Sequence, residues 1–128
     1  MGAPHPLQVA AAAALAFPQS YYDKLREDYR RRRGILLPYL RDAGFEFAAP
    51  DGAYYVMTDV AGLGGTDDVE FVRRMVQTVG VAAVPGSSFY APKERGRTKV
   101  RFMWAKCDET LHEAGRRLLR TRELMKAG

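Results

Sequence analysis

The residue whose type and setting most suggest chemistry is an arginine inside a strand-like segment. Residues 98–104 read Thr-Lys-Val-Arg-Phe-Met-Trp. Alternation along a strand sends Val100, Phe102 and Trp104 to one side, and Lys99, Arg101 and Met103 to the other. An arginine in so apolar a strand must offset its desolvation, most simply by pairing with an anion. Its planar guanidinium matches a carboxylate in two-point geometry, so Arg101 is a candidate for holding a carboxylate substrate. An arginine on an open sheet face, solvated or bridged to an acid on a neighbouring strand, leaves the same pattern.

Other clusters are weaker. Arg30-Arg31-Arg32-Arg33 supplies the positive charge that phosphate binding needs. Successive helix residues are, however, turned by about 100° each, so the run makes no single stripe. Asp23, Glu27 and Asp28 lie a turn earlier and can pair with it, which reads as a solvated helix face. Gly62-Leu63-Gly64-Gly65-Thr66 and Pro85-Gly86-Ser87-Ser88 could cradle an anion, but neither has the glycine spacing of a dinucleotide or Walker loop. The second can still border a site, since Phe89 and Tyr90 follow it. Cys107 precedes a helix start, a position that lowers a thiol pKa, yet nothing marks His112 as its base. His5 lies among prolines without a partner, and two His with one Cys, far apart, make no zinc site.

These residues need a scaffold, and the chain length suits one compact domain or part of a larger protein: 128 residues, 47% hydrophobic and 27% charged. A single cysteine rules out an internal disulfide. Residues 9–17 are an unbroken apolar run, far short of the roughly 20 a membrane span needs. No Lys or Arg precedes Lys24, so the run does not read as a secretory signal. An alanine-rich helix packed closely on another surface suits it better.

Ser20 is placed to cap a long helix over residues 21–43, in which Tyr22, Leu25, Tyr29, Leu36, Leu40 and Ala43 recur at helical spacing. Gly44 ends it, and Pro38 should kink it. Residues 45–47 alternate, Pro50-Asp51-Gly52 turns, and residues 53–60 form a strand. Asp67-Asp68-Val69-Glu70 opens a helix carrying Phe71, Val72, Met75, Val76 and Val79, stopped by Gly80. Residues 81–84 are a short buried strand broken by Pro85-Gly86, and residues 98–104 are a third good strand. Asp108 caps a last helix that carries Leu111, Ala114, Leu118 and Leu119 to about residue 126. The expected fold is α+β: a small, largely antiparallel sheet with helices packed on one face and a long N-terminal helix.

Several blocks have a familiar order. Gly2-Ala3-Pro4-His5-Pro6-Leu7-Gln8-Val9-Ala10-Ala11, Pro50-Asp51-Gly52-Ala53-Tyr54-Tyr55-Val56, Gly80-Val81-Ala82-Ala83-Val84-Pro85-Gly86-Ser87-Ser88-Phe89, and Val100-Arg101-Phe102 followed by Leu111 and Ala114 occur in sequence. Together they resemble the C-terminal segment of class I/II aminotransferases, the fold-type I pyridoxal-phosphate enzymes related to aspartate and kynurenine aminotransferases. The resemblance covers essentially the whole chain. It implies a remnant of the large-domain or linker helix at 1–20 and the small C-terminal domain at 21–128, which closes over the active site. It implies that Arg101 binds the substrate α-carboxylate, that Phe89 lies in a loop near the cleft, and that Tyr54 begins a strand approaching it.

The departure is the Schiff-base lysine, which the resemblance puts upstream of Gly2 in a Ser-x-x-Lys-type segment with the other cofactor ligands. Lys24, Lys93, Lys99, Lys106 and Lys126 lie outside any matching motif. The expectation is therefore a chain that does not transaminate alone, with no catalytic residue, bound pyridoxal phosphate or metal of its own. Its implied partners are its large catalytic domain and an amino acid or 2-oxo acid, in a cytoplasmic, homodimeric parent that binds neither nucleic acid nor membrane. The rival readings are a fold-type I lyase or cyclopropane-carboxylate synthase-like enzyme, and, from another class, a stand-alone basic module for nucleic acid.

Overall fold

The computed structural model describes residue 2 and residues 4–126, the last three by backbone alone. Helices α1 (His5–Leu15) and α2 (Gln19–Asp42) come first, followed by strand β1 (Tyr55–Asp59) and helix α3 (Asp68–Thr78). Strands β2 (Val84–Pro85) and β3 (Lys99–Met103) precede helices α4 (Asp108–Leu118) and α5 (Thr121–Lys126). The three strands form an antiparallel sheet in the order β1-β3-β2. Tyr55 lies opposite Met103, Val56 opposite Phe102 and Met57 opposite Arg101; on the other side of β3, Val84 lies opposite Arg101. The chain is thus α+β, with a small antiparallel sheet as its pattern implies.

One sheet face is dry. Val56, Thr58, Val100 and Phe102 are buried on it, and Trp104 continues it beyond the end of β3. The Thr58 hydroxyl donates to the Val100 carbonyl at 2.9 Å, so its burial leaves no polar atom unmatched. Against this face α2 packs Leu36, Leu37 and Leu40, α3 packs Phe71, Val72 and Met75, and α4 packs Leu111 and Leu118. Each such side chain contributes about 1.5–3 kcal/mol by leaving water, which makes this face the main source of cohesion. Tyr55, Met57, Arg101 and Met103 alternate onto the opposite, more open face.

Local chemistry explains most element ends. Gly44 takes φ +93°, a left-handed value costly for other residues, while its N–H donates to the Arg41 carbonyl and that of Phe45 to Leu40. The Asp67 carboxylate accepts from the N–H groups of Val69 at 3.1 Å and Glu70 at 3.0 Å, capping α3.

Elsewhere the structure departs from the sequence pattern. Helix α2 starts one residue before Ser20, with Pro18 at its cap position and no side-chain cap, and it runs unbroken through Pro38. Residues 45–47 form no strand; only a Glu46–Asp59 bridge remains, since Phe45 turns into the core beside Phe71 and Phe102. The short strand falls on Val84 and Pro85 rather than on residues 81–84, because an edge strand tolerates a proline that lacks a donor. Cys107, not Asp108, occupies the cap position of α4. The last helix breaks at Leu119–Arg120, which redirects α5 onto α3 and the turn at Ala61–Leu63.

Candidate functional site

Arg101 stands in the middle of β3 on the open face. Its guanidinium carbon lies 4.2 Å from the centre of the Phe89 ring and 5.1 Å from that of Tyr55. Nε is buried and has no hydrogen-bond partner among the described residues. The bridge to a neighbouring acid that an open sheet face allows is not made. Asp59, the acid at the end of β1, instead accepts from Lys99 Nζ at 2.5 Å.

Phe89 reaches Arg101 from the short turn at Gly86–Phe89, just after β2. That turn is anchored from α3: the buried Asp68 carboxylate accepts from the Ser87 N–H at 2.6 Å. Tyr55 is the diagonal neighbour of Arg101 across the β1–β3 register, within reach of an aromatic side chain. Tyr54 sits one ring further out. It meets Tyr55 edge-on at 5.6 Å and Tyr29 at 6.4 Å, while its carbonyl accepts from the Trp104 N–H at 2.9 Å. The structure therefore joins Arg101 with Phe89 and brings in Tyr55, a residue the sequence reading passed over.

A groove of about 680 Å³ adjoins the site between residues 80–84, the end of β3 and α4. Val81, Ala83 and Phe102 line it, with Arg101, Lys106 and Glu113 among its charged groups. Hydrogen bonds from Arg116 and Arg117 hold the Glu113 carboxyl below its ordinary range.

Both glycine loops spend some of their backbone donors within the fold. At the loop before α3, the N–H groups of the first turn already serve Asp67, which also pairs with Arg97 at 3.7 Å. In the loop after β2, Ser87 N–H serves Asp68. Lys99, the lysine nearest Arg101 on its strand, is held by Asp59.

The arginine run is largely occupied by the fold. Arg31 donates to Asp108, Arg32 lies 4.0 Å from the same carboxylate and over the Tyr29 ring, and Arg33 donates to the Pro50 carbonyl. Cys107 Sγ lies 3.0 Å from the Thr110 hydroxyl, and His112 Nδ1 shares a 3.3 Å hydrogen bond with the Tyr39 hydroxyl. The two are not joined as nucleophile and base. His5 opens α1, exposed. Among the described residues no three of His, Cys, Asp and Glu gather as metal ligands, and no helix is long and apolar enough to cross a membrane.

The sequence profile described as aminotransferase class I and II matches residues 1–117. The chain belongs to this family. A probable N-succinyldiaminopimelate aminotransferase of Mycobacterium tuberculosis is 36% identical over 121 residues, covering 88% of this chain and 30% of the relative. The methionine aminotransferase of Escherichia coli K12 is 34% identical over 113 residues, covering 88% of this chain and 29% of the relative. The solved structure of the Mycobacterium tuberculosis N-succinyldiaminopimelate aminotransferase superposes with TM-score 0.80 at 38% identity, over 91% of this chain and 30% of that one. A putative aminotransferase from Silicibacter pomeroyi superposes with TM-score 0.79 at 37% identity, over 98% of this chain and 32% of that one. This chain thus spans about 30% of the length of these relatives.

Proposed function

We propose that residues 21–128 are the C-terminal small domain of a pyridoxal-phosphate-dependent aminotransferase, and that residues 1–20 belong to the helix leading in from its large domain. In that enzyme an amino group passes between an amino acid and a 2-oxo acid, and Arg101 holds the substrate α-carboxylate. The observation that carries the reading is the state of Arg101: a cation beside two aromatic rings, its buried Nε without a hydrogen-bond partner among the described residues. A planar carboxylate is the anion its fork matches best.

Pyridoxal phosphate supplies the electron sink of such chemistry when bound. In this reading its ligands come from the large domain, and Lys99, the lysine on the strand of Arg101, stays with Asp59. This chain supplies Arg101, which fixes the carboxylate at two nitrogens, while Phe89 and Tyr55 shield the guanidinium from water. Closure of this domain on the large one then excludes solvent from the reacting group. A homodimeric, cytoplasmic parent completes the reading. The exposed apolar helix α1 supports a further surface to which the chain is docked.

The test joins this chain to its upstream catalytic domain. The joined protein is expected to transaminate, and the 128-residue chain alone is not. Arg101→Gln in the joined protein is expected to raise KM for both amino acid and 2-oxo acid about ten- to a hundredfold, the loss expected for a hydrogen bond to a charged group. Transamination by the chain alone, or unchanged KM in the variant, would overturn the reading.

A further inference from the structure

We infer that Tyr55 is a positioning residue which, with Phe89, orients the Arg101 guanidinium so that its terminal nitrogens face the substrate carboxylate. This rests on Arg101 being the carboxylate ligand and says how it is held ready.

Arginine carries about 2 kcal/mol of side-chain rotamer entropy, which a two-point contact must otherwise remove on binding. Here two rings from separate elements already approach the cation, Phe89 at 4.2 Å and Tyr55 at 5.1 Å. Nε is buried without an acceptor among the described residues. The guanidinium is therefore enclosed at its Nε side and flanked by rings, and the terminal nitrogens are the pair of donors that a planar carboxylate matches.

The use of rings is itself informative. An acid beside Arg101 would occupy the same N–H groups that a substrate needs. A ring attracts the cation through its π face and leaves those donors free. The chain places an acid where a structural cation needs one, on Lys99, and rings where a binding cation would be compromised by one. Tyr55 is suited to this by its diagonal place in the register and not by its hydroxyl, for which no hydrogen bond to Arg101 is made.

The experiment is nitrogen-15 NMR of the 128-residue chain, following Arg101 Nε–Hε, assigned by its loss in Arg101→Gln, during titration with pyruvate. Ring currents should displace the Hε signal; Tyr55→Leu should return it toward the position of a free arginine, and Tyr55→Phe should not. Pyruvate affinity should fall about two- to fivefold in Tyr55→Leu, as expected for one partly exposed cation–π contact, and be restored in Tyr55→Phe. Thermal unfolding confirms that each variant is folded. An unmoved Hε signal or undiminished affinity in Tyr55→Leu would overturn the positioning role, as would a Tyr55→Phe variant that behaves like Tyr55→Leu. Pyruvate binding that survives Arg101→Gln, or is absent from the wild type, would instead overturn Arg101 as the carboxylate ligand.

Discussion

Asp59 sits where β1 ends and takes hydrogen bonds from Lys99 at 2.5 Å, Thr98 at 3.2 Å and the Ala61 N–H at 2.8 Å. Burial pushes its carboxyl up, but the Lys99 and Ala61 hydrogen bonds, the Lys99 charge and the Thr98 hydroxyl together outweigh it. They hold it below its ordinary value of 3.8. The folded state then binds fewer protons than the unfolded state around that value. The stabilisation is fully present above pH 3.8 and is lost as pH falls through the lower folded value. Asp59→Asn should therefore unfold at a lower temperature than the wild type at about pH 7, and the two should converge as pH falls below 3.8. Thermal unfolding across pH measures this; a gap that stays constant would show that Asp59 contributes no proton-linked stability. The same strand face shows how much of the site the sequence carries. Arg101 is legible from alternation alone, since its neighbours Val100 and Phe102 are core residues. Tyr55 is not, because its meeting with Arg101 depends on a register set by pairing across 46 positions of chain. Nothing in the spacing of Tyr54 and Tyr55 says which of them faces the arginine until that register is fixed.

Helices α2 and α4 approach closely at Gly115, where a Cβ would overlap the ring of Tyr39. The absence of a side chain is what lets the two helices meet here, and Gly115 is buried in the middle of α4. Gly115→Ala should therefore destabilise by about 1–3 kcal/mol, despite alanine's better helix propensity, because the ring or the helix must shift. Tyr39→Ala in the Gly115→Ala background should then cost less than it does in the wild type. A double-mutant cycle by denaturant unfolding reads the coupling, and strictly additive costs would show that the two residues do not press on each other. Gly115 lies within an amphipathic helical pattern and is mute in sequence, since a packing glycine and a tolerated one look alike. The helices themselves are legible because their periodicity is local: α2 and α3 fall within a residue or two of their patterns, and α4 starts where its pattern does but ends at Leu118. Strand limits are set by partners. Residues 45–47 and 81–84 alternate or are apolar as strands should be, yet the sheet uses only Glu46, Val84 and Pro85 from these regions. The break before α5 likewise follows from what it packs against, α3 and the turn at Ala61–Leu63.

At the scale of the whole molecule, the feature with no internal reason is α1. It has no buried residue, and Leu7, Val9 and Leu15 are 62%, 58% and 83% exposed. Near its end the Tyr22 hydroxyl donates to the Ala14 carbonyl, and beyond it Phe17 meets Tyr21 edge-on at 4.8 Å. An 11-residue helix that buries none of its residues is marginal in water even when rich in alanine. Its apolar character is therefore best used against another surface, and its small side chains allow a close one. In the proposed parent that surface is the large domain; in the 128-residue chain by itself the available surface is a second copy. Sedimentation should accordingly show concentration-dependent self-association, which the double substitution Leu7→Glu, Val9→Lys abolishes. Because neither residue touches the core, the unfolding temperature of the main body should be unchanged in that variant when both proteins are compared at dilution. Helix content by circular dichroism should fall on dilution of the wild type and be low in the variant at every concentration, since association is what holds α1 together. A wild-type chain that stays monomeric with α1 fully helical would mean that local propensity and the Tyr22–Ala14 tie suffice, and would remove the need for any docking partner.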